Sequence, residues 1–76
     1  MADKVYLTAD GVKKLEEELE ELKGPARTEL SKRLKAAIEQ GDLSENADYS
    51  KAKEDQGFLE GRIQEIENML KNYIVI

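Results

Sequence analysis

The stretch Gly41-Asp42-Leu43-Ser44-Glu45-Asn46-Ala47-Asp48-Tyr49 breaks a chain of 76 residues that on either side has the spacing of long helices. Glycine and asparagine tolerate left-handed backbone angles, and serine offers a side-chain oxygen to the free amides of a helix start. Gly41 to Ser44 therefore reads as a stop followed by a start, with Ser44 as N-cap. The chain turns back here. Three carboxylates, Asp42, Glu45 and Asp48, follow the stop. They can cap the turn and complement the positive end of the next helix, or they can be presented to a cation. Asp42 and Glu45 are too few to hold Mg²⁺ alone, because that ion keeps its waters and takes further ligands from phosphates or other carboxylates. A catalytic tip would have to complete a site in another molecule.

Upstream, Met1 to Leu7 is a short lead-in in which Val5-Tyr6-Leu7 fits extended backbone. Thr8 as N-cap, Asp10 in the first turn, and Leu7 and Val12 at the spacing of a hydrophobic staple start a helix near Ala9. Val12, Leu15, Leu19, Leu22, Ala26, Leu30, Leu34 and Ile38 then form one apolar stripe at steps of three or four. Gly24-Pro25 interrupts it. Proline lacks an N–H and clashes with the preceding turn, so a kink is expected within one bent helix from Ala9 to Gln40.

Downstream, a second helix is expected from Glu45, with the stripe Ala47, Ala52, Leu59, Ile63, Ile66, Leu70 and Tyr73. Folding the chain at Asp42-Leu43 sets Ile38 against Ala47, Leu34 against Ala52, Ala26 against Leu59 and Leu22 against Ile63. Toward the base it sets Leu19 against Ile66, Leu15 against Leu70 and Val12 against Tyr73. Only Leu30 meets polar residues, Asp55 and Gln56. The fold class is all-α, two long helices forming an antiparallel coiled-coil hairpin with an acidic tip loop, about 45 Å long at about 1.5 Å per residue. Its proximal half is rich in leucine and isoleucine, and its distal half, with Ala37, Ala47 and Ala52, is slimmer.

Composition narrows the function. With 38% charged and 5% aromatic residues, the chain suits a solvated rod better than a deep-cored globule. It has no cysteine and no histidine, which removes disulfides, thiolate metal sites and the commonest general base. A net charge of −5 argues against nucleic-acid binding by bulk electrostatics. No apolar run is long enough for a membrane span and no signal pattern opens the chain, so a soluble, cytoplasmic protein without a membrane partner is expected. With no nucleophile elbow, Walker loop or metal-ligand quartet, neither an independent enzyme nor a small-molecule substrate is expected. The apolar Tyr73-Ile74-Val75-Ile76 suggests a natural protein that continues.

Arg27, Lys32, Arg33 and Lys35, with Lys51 and Lys53 at similar height, make a basic collar. Glu16 to Glu18 with Glu20 and Glu21 make an acidic base. Such charges ordinarily form a solvated face laced with i,i+4 pairs, but their segregation also suits a rod entering a channel where nucleic acid runs near the collar. Phe58, beside Leu59, is expected to pack, and Tyr49 to cover the turn or touch a partner.

The tip run, together with Ala52-Lys53-Glu54-Asp55-Gln56-Gly57-Phe58-Leu59-Glu60-Gly61-Arg62-Ile63, resembles the N-terminal domain of bacterial transcript cleavage factors of the GreA type. The opening Leu7-Thr8-Ala9-Asp10-Gly11 and Leu15-Glu16-Glu17-Glu18-Leu19 agree, so the resemblance spans the chain. It implies a finger, residues 1–76, that enters the secondary channel of RNA polymerase, with a globular C-terminal domain expected beyond it. The resemblance further implies that Asp42 and Glu45 help bind a second Mg²⁺ held mainly by the polymerase, and that the isolated chain binds none. Backtracked RNA is then hydrolysed near its 3′ end. Leu43, Ser44, Asn46, Asp48 and Tyr49 would support the tip, and Arg33 and Lys53 are candidate RNA contacts. A hairpin that regulates the polymerase by channel occupancy alone is the alternative.

Overall fold

In a computed structural model, residues 4–76 are described; the first three residues of the lead-in lie outside them. Strand β1 (Val5–Leu7) leads into helix α1 (Ala9–Glu21). A π-helical turn (Leu22–Ala26) joins α1 to α2 (Arg27–Gln40), a 3₁₀ turn (Leu43–Glu45) forms the tip, α3 (Ala47–Lys71) returns, and β2 (Tyr73–Val75) closes the chain. The described residues extend over 51 × 27 × 13 Å, the shape of a rod. Arg27 pairs with Glu60, Arg33 with Asp55, and Asn46 with Ala37, so residue numbers fall on one arm as they rise on the other. The arms are antiparallel.

The start of α1 is as expected. The Thr8 hydroxyl accepts the Gly11 N–H at 2.9 Å, and Asp10 lies in the first turn. At Gly24-Pro25 the arm passes through the π turn Leu22–Ala26 rather than a break in the helix. Proline cannot donate to the carbonyl four residues back, and the helix absorbs the missing bond by widening for one turn, where the Arg27 N–H reaches the Leu22 carbonyl five residues away.

Wider winding also resets the phase of the stripe. Successive steps of four drift round a regular helix by about 40° each, and the wide turn takes part of this back, so Leu30 is buried at 6% exposure. The expected polar clash at Leu30 does not arise, because the Asp55 carboxylate is drawn aside to Arg33 and Lys51. Beyond Leu30 the seam departs from the expected one. Ile38 lies about 80° round the helix from Leu30 and Ala37 only about 20° from it. Accordingly Ala37 is buried and Ile38 is 53% exposed; Ala47, its expected partner, is exposed too.

Opposite this stripe, α3 buries Ala52, Ile63 and Ile66. Leu15, Leu19, Leu22, Leu59 and Leu70 are half-buried, as two helices side by side require. Phe58, expected to pack, is 70% exposed on the outer face. Some charges pair along α3, Lys51 with Glu54 and Asp55 and Arg62 with Glu65, and others bridge the arms. Arg62 donates to Glu18 at 2.7 and 3.0 Å, Arg27 to Glu60 at 2.9 and 2.6 Å, and Lys23 to Glu67 at 3.1 Å. These pairs line the seam like stitches.

The apolar end pairs with the start of the chain, with Ile74, Val75 and Ile76 left exposed. Tyr73, expected to extend the helical stripe opposite Val12, begins a strand instead, because Asn72 (φ −150°, ψ 80°) breaks the helix. Val5, Tyr6 and Leu7 pair in parallel with Tyr73, Ile74 and Val75, and the Ile76 N–H donates to the Leu7 carbonyl at 3.0 Å. Parallel strands need a long crossover, and here the whole hairpin is the crossover.

Two predictions follow from the seam. Ile66→Ala should cost about 2–5 kcal/mol in denaturant unfolding, whereas Phe58→Ala should change stability by about 0.5 kcal/mol or less. The second concerns acid. Hydrogen bonds from Arg62, Arg33 and Arg27 hold the Glu18, Asp55 and Glu60 carboxyls below their ordinary values of 4.5, 3.8 and 4.5. The unfolded chain takes up these protons first, so the contribution is complete above the ordinary values and is lost as pH falls through the lowered ones. Melting temperature followed by circular dichroism should drop between pH 7 and pH 3, and drop less in the Glu18→Gln, Asp55→Asn, Glu60→Gln triple variant.

Candidate functional site

The tip is built from one backbone reversal. Gly41 ends α2 at φ 80° and ψ −177°, a region essentially closed to residues with a Cβ, and Asp42 follows in the left-handed region at φ 42° and ψ 66°. Aspartate is among the few side chains that tolerate this conformation. The Glu45 N–H then donates to the Asp42 carbonyl at 3.1 Å, closing the 3₁₀ turn.

Ser44 does not cap the second helix. Its hydroxyl donates instead to Asp42 Oδ1 at 3.0 Å, and Leu43 to Glu45 are spent in the 3₁₀ turn. Asn46 takes the N-cap, its Oδ1 accepting the Tyr49 N–H at 3.0 Å, and α3 begins at Ala47, two residues later than expected. The sequence offered a signal: Asn46 is as good a cap as Ser44, with Asp48 in the first turn behind it.

Gln40, Gly41, Asp42, Glu45, Asn46, Ala47 and Asp48 line an open concavity of about 310 Å³ at the end of the rod. The three acids do not play one role in it. The Gln40 side-chain amide donates to Asp48 Oδ2 at 3.1 Å, tying that carboxylate across the turn. Asp42 keeps one oxygen outside its bond to Ser44, and the Glu45 side chain has no hydrogen bond or ion pair among the described residues. Leu43 is 40% exposed and Tyr49 half-buried at the turn. No group of three or more histidine, cysteine, aspartate or glutamate side chains converges on a cation position among the described residues. Asp42 and Glu45 offer hard carboxylate oxygens that suit Mg²⁺, but only as part of a ligand set completed elsewhere.

The collar residues fall on different faces. Arg33 forms an ion pair with Asp55 at 2.9 Å, and Lys51 lies 3.3 Å from the same carboxylate. Lys53, two residues from both, sits about 160° round α3 and donates to Gln56 Oε1 at 3.0 Å. Arg33 therefore shares a surface with Lys51 and not with Lys53. No helix among the described residues is long and apolar enough to cross a membrane.

This rod with its acidic end agrees with sequence comparison. The family model described as "Transcription elongation factor, N-terminal" matches residues 5–75. The chain belongs to this family. It is 59% identical over 73 residues to the transcription elongation factor GreA of Clostridium acetobutylicum, covering 96% of this chain and 46% of that relative. To the GreA proteins of Clostridium novyi and Clostridium botulinum it is 56% and 53% identical over 70 and 75 residues, covering 92% and 99% of this chain and 44% and 47% of the relatives. The chain spans about half the length of these curated relatives.

Gly41→Ala separates backbone from packing at the tip, because a Cβ there meets no atom within 4 Å. The variant should lose about 1–3 kcal/mol through backbone strain alone. Faster amide exchange confined to the tip and the adjoining ends of α2 and α3 would report it.

Proposed function

We propose that this chain is the finger of a transcription elongation factor that reaches through the secondary channel of RNA polymerase and stimulates the polymerase's own cleavage of backtracked RNA. Support comes above all from Asp42 and Glu45, two carboxylates with free oxygens at the far end of a 51 Å rod. Family membership supports the general role in transcription elongation.

The chain's residues divide the work by position. The seam and the cross-arm ion pairs keep the rod straight enough to carry its tip into a channel. Gly41 and the left-handed Asp42 turn the backbone so that both acids face the concavity, and Ser44 orients the Asp42 carboxylate by donating to one of its oxygens. Asp42 and Glu45 would hold Mg²⁺ jointly with acidic groups of the polymerase. Such an ion, when bound, stabilises developing charge and supplies an activated water for attack on the phosphodiester. The chain is then a stimulator rather than an enzyme, since its two carboxylates form half a site. Arg33 and Lys53 lie on separate faces of the shaft, so each would meet RNA from a different side.

Asp42→Asn and Glu45→Gln should each lower stimulated cleavage in a backtracked elongation complex by about 10²-fold or more, with helix content and polymerase binding unchanged. Full cleavage by the double variant would overturn the proposal. Inhibition of nucleotide addition without release of short 3′ RNA fragments would instead indicate occupancy of the channel alone.

A further inference from the structure

Asn46 is the one buried polar side chain among the described residues, at 8% exposure, and it sits beside Glu45 at the root of the tip. Its two ends do different things. The oxygen caps α3 by accepting the Tyr49 N–H, a task that aspartate or serine performs equally well. The nitrogen donates to the Ala37 carbonyl at 2.8 Å and to the Gly41 carbonyl at 3.3 Å, both at the end of α2, where carbonyls lack helical partners. The amide accepts at one end while donating at the other, which a carboxylate cannot do.

From this asymmetry we infer that Asn46 is a positioning residue for Asp42 and Glu45, acting through its N–H end. Gly41 is anchored to Asn46, and Asn46 is anchored to the first turn of α3, so the four residues between them span two fixed points. Asp42 and Glu45 are the ends of that span, already linked by the Glu45 N–H to the Asp42 carbonyl. The other side-chain tie across the turn joins Gln40 to Asp48 and is exposed, where water competes for both groups. Removing the buried donor would leave the helix capped but the acid-bearing span free to move. The inference rests on the reading of the tip as a donor of metal ligands.

Asn46→Asp tests it, since the carboxylate keeps the cap and places an oxygen against the two carbonyls. Asn46→Ser keeps the cap without that repulsion and is too short to reach Ala37, so the pair guards against a folding defect peculiar to one variant. In the free chain, amide exchange at residues 41–45 should accelerate by roughly tenfold or more in both, with the proximal arms unchanged. In a backtracked complex at saturating chain, the Mg²⁺ concentration for half-maximal cleavage should rise roughly 10–100-fold, with polymerase binding retained. Unchanged tip exchange, or activity restored by more chain at unchanged Mg²⁺ demand, would overturn the inference. Absence of cleavage with the unsubstituted chain would overturn the proposed function instead, and the exchange measurement would still decide whether Asn46 fixes the tip.

Discussion

Two helices lying side by side can each bury only one strip, and this chain depends on keeping those strips facing. The fully buried apolar set is short, with Leu30 and Ala37 on one arm and Ala52, Ile63 and Ile66 on the other. So narrow a seam has little tolerance for rotation, and two devices hold it. The π turn at Leu22 to Ala26 corrects the phase of the first arm, and the cross-arm pairs Glu18–Arg62, Arg27–Glu60 and Arg33–Asp55 resist sliding. Their exposed geometry makes them register marks more than sources of stability.

Much of this was legible in the residues. Steps of three and four mark two helices, and the Gly41 turn marks their reversal. Illegible parts are those where a non-local partner decides. Leu30 looked mismatched because pattern reading assigns Asp55 to the seam, whereas Arg33 and Lys51 pull its carboxylate outward. Ile38 looked like core because a run of fours was carried too far, and only the phase set by the widened turn selects Ala37. Tyr73 continued a helical spacing, yet pairing with Val5, nearly the whole chain away, makes it a strand.

At the tip, the acids and the turn could be read, but their individual roles could not. Ser44 and Asn46 are both good caps, and the choice depends on where each side chain finds a second partner. Ser44 finds Asp42, while Asn46 finds the Ala37 and Gly41 carbonyls across the reversal. Asp48 is likewise set apart by its tie to Gln40, whereas Asp42 accepts from Ser44 and Glu45 has no such tie among the described residues. Equal height along a rod does not specify a face, so the sequence alone does not place Arg33 beside Lys51 and away from Lys53.

The small parallel pair of β1 and β2 gives the rod a clamped root. A free hairpin is joined only at its tip, so its arms can splay at the base, and slight play there becomes large sideways wander at the other end. By hydrogen bonding Val5–Leu7 to Tyr73–Val75, the chain fastens its arms at both ends and behaves as a built-in cantilever. The accuracy with which Asp42 and Glu45 are aimed is thereby set partly by six residues at the opposite extreme of the molecule.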